Sequence, residues 1–281
     1  MKSEPGDDTQ VRIMVPIDRL VAGTSALGCL LVHGLTGTPA EMMPVAAALA
    51  GHHPLWVTRV AGHATSVTDL ATTSWREWYD SASAGADALA AATPRIVVIG
   101  LSMGALLAMR LAIERPVAVA GLVLLSPAIA LRRRPARWLS VPLRLLGAAD
   151  ARSAPLRGAL ARIVFSKRGS DIADRDVRAH HPGYHQVPLR ALLNLLALQR
   201  VARRDAPLVA QPALIIHALQ DHTCPVAAAQ ALYERLGSRE KRLVLLSESF
   251  HVVTVDCERQ RVLDEIIGFV DTLESGATPG R

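Results

Sequence analysis

The sequence has few cysteines, no secretory leader and no long apolar run. Its 281 residues contain only Cys29, Cys224 and Cys257, too few and too widely spaced for a disulfide framework or a zinc site. The opening stretch MKSEPGDDTQ is polar and acidic, and no apolar h-region follows a basic start. No uninterrupted apolar run reaches the roughly 18 residues of a membrane span. These absences predict a cytoplasmic protein without a structural metal.

Features of nucleic-acid-binding proteins are also absent, although the net charge is +6. Residues 131–205 contain 16 Lys and Arg against 5 Asp and Glu, whereas the rest of the chain contains 15 against 20. This basic segment has no interleaved aromatic platform and no zinc-finger or RNA-binding signature. We therefore expect no nucleic-acid partner. The arginines either solvate the outside of helices or attract an anionic substrate or a membrane surface.

Aliphatic residues are plentiful, and they are arranged in segments that alternate regularly along the chain. Short β-rich runs alternate with longer Ala- and Leu-rich stretches, which predicts an α/β fold with a mostly parallel sheet covered by helices. The strand candidates lie in the stretches ALGCLLVHG, HPLWVTRV, PRIVVIG, VAGLVLLSP, QPALIIHALQD and KRLVLLSES. Ser74, with Glu77 three residues later, predicts a capping box at the start of a long helix.

This rhythm is interrupted between residues 131 and 205. The segment contains basic amphipathic helix candidates broken by prolines, and it shows no clear strand pattern. We interpret residues 131–205 as a helical insertion in a core formed by residues 1–130 and 206–281.

The stretch VIGLSMGAL places Ser102 in a G-x-S-x-G pattern between a predicted strand and a predicted helix. In that context a sharp turn raises the serine Oγ above the sheet as a nucleophile. The backbone N–H of Met103, at the positive end of the helix, is then the first candidate donor to an oxyanion. The alternative is a small residue in a glycine-tolerant bend, so the serine needs partners elsewhere in the chain.

A second oxyanion donor is expected from the loop in LVHGLTGTP. Its His-Gly step ends a buried strand, which makes the backbone N–H of Leu35 the candidate. The alternative, a phosphate-binding loop, lacks the Lys of G-x-x-x-x-G-K-[ST] and the pattern G-x-G-x-x-G.

The candidate base and acid follow from chain order. Alpha/beta-hydrolases place their residues in the order Ser, acid, His, with the acid and the His after the last strands. Asp221 and His251 fit these positions. His222 is the nearest alternative base, and Asp256 and Glu248 are weaker alternatives for the acid.

Other histidines have different interpretations. His217 lies within a strand pattern and is expected in the core. His180, His181 and His185 cluster in the insertion, where metal binding is conceivable, but they lack the spacing of H-E-x-x-H.

Several stretches together resemble bacterial carboxylesterases of the monoacylglycerol lipase type in the alpha/beta-hydrolase superfamily. They are LVHGLTGTPAEM, VTRVAGHA, TSWREWYD, GLSMG, QDHTCPVAAAQALY and SESFHVVTVDCERQRVLDEIIGFVDTLES. The resemblance implies an eight-stranded core with a small helical lid and no cofactor or metal. It also implies Ser102, Asp221 and His251 as a triad, with the N–H groups of Leu35 and Met103 as oxyanion hole.

The chain departs from this family pattern at two positions. Phe250 stands where the family usually has Gly before the catalytic His, and we expect it to alter the His251 loop and narrow the pocket. Ala64 replaces the last Gly of G-H-G, and His63 is expected to be structural. The apolar lid residues that could line a substrate slot, rather than only pack on the core, are Trp138, Leu139, Leu145, Leu146, Leu192, Leu195 and Leu196.

These features predict a serine hydrolase that cleaves short- to medium-chain carboxylic esters or monoacylglycerols through an acyl-enzyme. The alternatives are a thioesterase or amide hydrolase on the same triad, and a catalytically silent hydrolase-fold protein that binds a ligand through its basic lid.

Overall fold

The computed structural model describes residues 17–132 and 153–276 of the chain. The strands in these ranges are β1 (Leu27–Val32), β2 (Leu55–Thr58), β3 (Arg95–Leu101), β4 (Val119–Leu125), β5 (Val164–Ser166), β6 (Gln186–Pro188), β7 (Ala213–Ala218) and β8 (Lys241–Leu246). Six of them form one sheet in the order β2-β1-β3-β4-β7-β8, in which every neighbouring pair is parallel. β5 and β6 form a separate antiparallel pair.

The predicted α/β fold is confirmed, but the described residues place six strands in the central sheet instead of eight. At the edge of β2, the described residues add two isolated bridges, Ile17 to Val57 in parallel sense and Val21 to Leu55 in antiparallel sense. The chain reverses between these bridges, where Asp18 has a φ of +52°. A segment that changes direction within four residues cannot continue as a strand.

Helices cover both faces of the sheet. They are α1 (Met43–Leu49), α2 (Val67–Thr72), α3 (Trp75–Ala90), α4 (Met103–Glu114), α5 (Ala154–Ala161), α6 (Arg175–His180), α7 (Leu189–Asp205), α8 (Val226–Arg235) and α9 (Arg259–Ser275). The predicted capping box of Ser74 and Glu77 starts α3. Among the described residues no helix is both long and apolar enough to span a membrane.

The continuous apolar strands are explained by burial on two sides. Alternate residues such as Leu30 and Val98 pack against α3, α4, α7 and α8, whereas Leu31 and Ile99 pack against α1 and α9. Because both faces of the sheet are covered, the side chains that remain accessible collect at the ends of the strands.

The sequence predicts a purely helical insertion between β4 and β7, but the described part of this segment also contains strands. Within its described part, residues 153–205, the short strands β5 and β6 pair from Val164–Pro188 to Ser166–Gln186. Three-residue strands are too short for a period-two pattern, so no sequence signal predicts them. α7 lies on α3 and α4, and its Leu195, Leu198 and Ala202 are buried in the main core.

Candidate active site

Ser102 lies in a strained turn between β3 and α4. Its backbone has φ +57° and ψ −108°, a region that L-residues rarely adopt. A Cβ on Gly100 would overlap the Gly104 carbonyl, and a Cβ on Gly104 would overlap the carbonyl oxygen of Val32 at the end of β1. Both positions therefore require glycine, and the turn holds the serine at the carboxyl end of the parallel sheet.

Three side chains from different loops meet at this edge. His251, from the loop after β8, has its Nε2 2.8 Å from Ser102 Oγ and its Nδ1 2.7 Å from Asp221 Oδ2, in the loop after β7. The other oxygen of Asp221 accepts hydrogen bonds from the N–H groups of Thr223 at 2.8 Å and Cys224 at 2.7 Å. Asp221 is fully buried, and Ser102 and His251 are 8% and 7% exposed.

These contacts determine the tautomer of His251. A carboxylate only accepts hydrogen bonds, so Nδ1 carries the proton and Nε2 is left to accept the hydroxyl of Ser102. Burial opposes charge on both partners, but their mutual attraction outweighs it. The pKa of His251 is raised above its ordinary value by Asp221 and, more remotely, by Asp171 and Glu41. The pKa of Asp221 is lowered, mainly by His251.

The backbone N–H groups of Leu35 and Met103 are available near Ser102. Neither donates a hydrogen bond to another residue within the described ranges. His33 Nδ1 lies 2.9 Å from the carbonyl oxygen of Gly34, which belongs to the same peptide unit as the Leu35 N–H. The two groups of a trans peptide point in opposite directions, so His33 fixes the Leu35 N–H on the opposite side. Gly34 and Leu35 line the same cavity as Ser102.

This cavity has a volume of about 290 Å³. Part of its wall is apolar, with Leu131, Val187, Leu192 and Leu195 from the insertion. Leu192 and Leu195 thus lie where the sequence predicted a substrate slot, and Leu196 does not line the cavity. The remaining predicted slot residues, Trp138, Leu139, Leu145 and Leu146, lie outside the described residues.

Several known proteins are similar to this chain in sequence and in fold. The family described as serine aminopeptidase, S33, matches residues 25–258. The chain belongs to this alpha/beta-hydrolase family. It is 30% identical to a thermostable monoacylglycerol lipase of Bacillus sp. (strain H-257) over 92% of this chain and 96% of that protein. It is 21% identical to a carboxylesterase of Bacillus subtilis (strain 168) over 87% and 92% of the two chains.

Solved structures agree with these relatives. A chain of the metagenome-derived lipolytic enzymes LipS and LipT superimposes with a TM-score of 0.78 at 27% identity, over 92% of this hydrolase and 99% of that chain. The Paleococcus ferrophilus monoacylglycerol lipase gives a TM-score of 0.73 at 18% identity, over 92% and 97%, and shows the fold alone. The protein is therefore a lipase/esterase-type alpha/beta hydrolase.

The alternative base and acids of this hydrolase have other partners. His222 Nδ1 donates to Asp171 Oδ1 at 2.9 Å, away from Asp221. Asp256 accepts backbone hydrogen bonds from residues of two loops, and Glu248 is exposed. His217 is buried, with Nε2 3.1 Å from the Cys224 carbonyl oxygen, and burial lowers its pKa. His217 therefore stays neutral in the core, as its strand position indicates.

Phe250 does not narrow the pocket, contrary to our expectation. Its ring packs edge-on against the His222 ring, with the two ring centroids 4.5 Å apart. Phe250 is not among the residues that line the described cavity. Its backbone N–H donates to Asp256 Oδ2 at 2.7 Å, which turns the side chain away from Ser102.

The surroundings of His63 are those of a buried core residue. It is fully buried between His33 and Trp78, and burial together with His33 lowers its pKa to about 3. Such an imidazole remains neutral at physiological pH. Its neighbour Ala64 is exposed and has a φ of +55°.

Sequence reasoning missed two polar residues of the cavity wall, Lys167 and Glu41, and the proximity of His181 to Glu41. Lys167 Nζ donates to Thr36 Oγ1 at 2.7 Å, and burial lowers the pKa of this lysine. Glu41 is buried, and its Oε2 accepts from the Gly34 N–H at 3.3 Å. His181 Nε2 lies 3.3 Å from Glu41 Oε1, without hydrogen-bond geometry. No local pattern indicates these contacts: the Lys167 and His181 contacts join residues far apart in the chain, and the Glu41 contact spans seven residues of the turn after β1.

Two groups of described residues have the right atoms for a metal. His52, His53 and Glu274 have ligand atoms within 4.8 Å of one another, but His52 and Glu274 already pair at 2.8 Å. The second group is Asp221, Cys224 and His251, whose carboxylate and imidazole pair with each other, and burial raises the pKa of the Cys224 thiol. His180 and His185 are exposed and do not join His181 in a cluster.

Proposed function

We propose that this hydrolase cleaves carboxylic esters, with short- to medium-chain acyl esters or monoacylglycerols as substrates, through a serine acyl-enzyme. Ser102 is the nucleophile, His251 the base and Asp221 the acid that orients it. One observation carries this assignment: the unbroken series of contacts from Ser102 Oγ to His251 at 2.8 Å and from His251 to Asp221 at 2.7 Å. Relatives named as a monoacylglycerol lipase and a carboxylesterase support the substrate class.

The reaction proceeds in two halves. Ser102 Oγ attacks the ester carbonyl carbon while its proton passes to His251 Nε2, and the N–H groups of Leu35 and Met103 stabilise the resulting oxyanion. The tetrahedral intermediate collapses, and the departing alcohol takes the proton from Nε2. Water then attacks the acyl-enzyme carbonyl carbon and gives one proton to His251 Nε2. The second tetrahedral intermediate collapses and releases the carboxylic acid, while Ser102 Oγ takes that proton back from Nε2. Asp221 stays ionised throughout and stabilises the imidazolium.

The insertion, residues 131–205, acts as a lid over a core of residues 1–130 and 206–281. Leu192 and Leu195 contact the apolar part of the substrate, and the basic residues of the insertion attract an anionic substrate or membrane surface. The cavity of about 290 Å³ is at the small end for a drug-sized ligand, which favours short and medium acyl groups. The cytoplasmic location stays a prediction.

The test combines a fluorophosphonate probe with p-nitrophenyl esters of graded acyl length, a monoacylglycerol, an acyl-CoA and an aminoacyl anilide. We expect labelling, and turnover that is highest for an ester. Ser102→Ala should abolish both. The matched control is Ser126→Ala, because Ser126 is a buried serine at the end of the neighbouring strand β4 whose hydroxyl has no hydrogen-bond partner.

Labelling that survives Ser102→Ala would reject the nucleophile. Turnover that is faster for the thioester or the anilide than for every ester would replace the substrate class and leave the triad in place.

A further inference from the structure

One carbonyl group of the insertion accepts two backbone hydrogen bonds from the loop that carries His251. The carbonyl oxygen of Asp171 accepts the backbone N–H of His251 at 3.0 Å and that of Val252 at 3.1 Å. Asp171 lies between β5 and α6, about eighty residues before His251 in the chain. The backbone of the base is therefore held by a residue outside the hydrolase core.

The side chain of the same Asp171 holds the loop after β7, which carries Asp221. Its Oδ2 accepts from the backbone N–H of His222 at 2.9 Å and from the hydroxyl of Thr223 at 3.0 Å. Its Oδ1 lies 2.9 Å from His222 Nδ1. These five hydrogen bonds connect one aspartate to the residues that follow Asp221 and to His251 itself.

A second carboxylate fixes the position of this aspartate. Asp256 accepts from the N–H groups of Ala173 and Asp174 at 2.9–3.0 Å, and from the N–H of Phe250 at 2.7 Å. The turn of residues 171–174 is thus bound to the His251 loop on both sides. The Asp171 side chain is only 16% exposed, so its hydrogen bonds are partly shielded from water.

Within the described part of the chain, the hydrogen bonds of the Asp171 side chain go to His222 and Thr223 and not to Ser102 Oγ or the His251 ring, so it is not a fourth member of the triad. The charged and titratable groups that face His251 are Asp221 and His217 from β7 and its loop, Asp171 from the insertion, and Glu41 from the loop after β1. Asp171 contributes to the raised pKa of His251 through its charge.

We propose that Asp171 is a positioning residue that sets the distance between the loops of Asp221 and His251. Through Asp171, the insertion keeps the His251 ring within hydrogen-bond distance of Asp221 and Ser102. This inference rests on the proposed function and adds a residue to it. It also means that residues 171–174 stay with the core during the reaction.

The experiment compares Asp171→Asn and Asp171→Ala with Asp176→Asn. The control removes the same charge from an exposed aspartate of α6 in the same insertion. A misplacement of catalytic groups by 1 Å can cost about 10²-fold in rate. We expect kcat to fall about 10- to 100-fold, more for Ala than for Asn, because Asn keeps one acceptor oxygen. KM should stay within about twofold for Asp171→Asn, because asparagine keeps the volume of a side chain that also lines the cavity beside Ser102.

A second measurement is independent of turnover. The His251 ring is titrated by NMR in each variant, and the amide exchange rates of His222 and Thr223 are measured. Asp171→Asn should lower the pKa of His251 and accelerate exchange at His222, whereas Asp176→Asn should change neither. If Asp171→Ala does not fold, Asp171→Asn and His222→Gln carry the test, and the latter should give a smaller loss of kcat.

The two proposals fail separately. A wild-type protein without ester hydrolysis, but with the expected changes at His251, would reject the substrate class and keep Asp171 as a positioning residue. Variants of Asp171 with wild-type kcat and an unchanged His251 titration would overturn the role of Asp171 and keep the esterase.

Discussion

Replacing Ala64 by glycine should stabilise the protein. Ala64 has a φ of +55°, in the left-handed region where an L-residue is strained and glycine is not. Its side chain is exposed, so removing the methyl group gives up little packing.

Two opposing contributions determine the magnitude. The left-handed conformation costs an L-residue roughly 1–2 kcal/mol. Glycine loses about 0.4–1 kcal/mol more than alanine through the entropy of the unfolded chain. The difference predicts that Ala64→Gly raises the free energy of unfolding by about 0.5–1 kcal/mol, which for a chain of this size corresponds to about 1–3 °C in Tm.

Urea unfolding followed by circular dichroism measures this difference, with Ala84→Gly as the matched control. Ala84 is also exposed, but it lies inside helix α3, where glycine should lower stability by about 1 kcal/mol. The same substitution should thus have opposite signs at the two positions. If Ala64→Gly destabilises the protein as Ala84→Gly does, the strain at Ala64 is not real and the reasoning is refuted.

Three further predictions concern the site. Gly104→Ala should prevent folding or lower stability by about 1–3 kcal/mol, because its Cβ would overlap the Val32 carbonyl, and soluble yield and urea unfolding measure this. The raised pKa of His251 means that kcat/KM should fall as the pH drops through a value above about 6.5, since only the neutral imidazole accepts the Ser102 proton; an acid limb well below that value would contradict it. Leu192→Ala enlarges the cavity and should raise the kcat/KM ratio of an octanoyl to a butanoyl ester by about tenfold, whereas a ratio equal to wild type would remove Leu192 from the substrate wall.

Much of the fold was predictable because its signals are local. The interior strands of the sheet are nearly continuous apolar runs, and the Ser74 capping box needs only four residues. The approach of Ser102, Asp221 and His251 could be predicted because parallel strands bring their carboxyl ends to one edge, so that chain order alone selects the loops. The sequence did not specify how each side chain points, and Phe250 is an example. Its ring turns towards His222 because Asp256 holds its backbone.

Long-range polar contacts were beyond the reach of sequence patterns. Asp171 and Lys167 bind residues at least 40 positions away in the chain. Glu41 binds the Gly34 N–H across a turn that has neither helical nor strand periodicity. The β5 and β6 pair was missed for the same reason, since strands of three residues owe their pairing to tertiary context. The expected eight strands reflected the family pattern, whereas the described chain reverses at Asp18.

Ser102 occupies the N-cap of α4, yet its side chain makes no cap hydrogen bond. A capping serine usually contributes about 1 kcal/mol to its helix, and here the hydroxyl is directed to His251 instead. The N-terminal end of the helix therefore lacks a side-chain acceptor, and the oxyanion of a substrate bonded to Ser102 Oγ would supply one. Stability and reactivity are therefore coupled at Ser102. The N-terminus of α4, which has no side-chain cap in the free protein, gains a negatively charged acceptor when the tetrahedral intermediate forms.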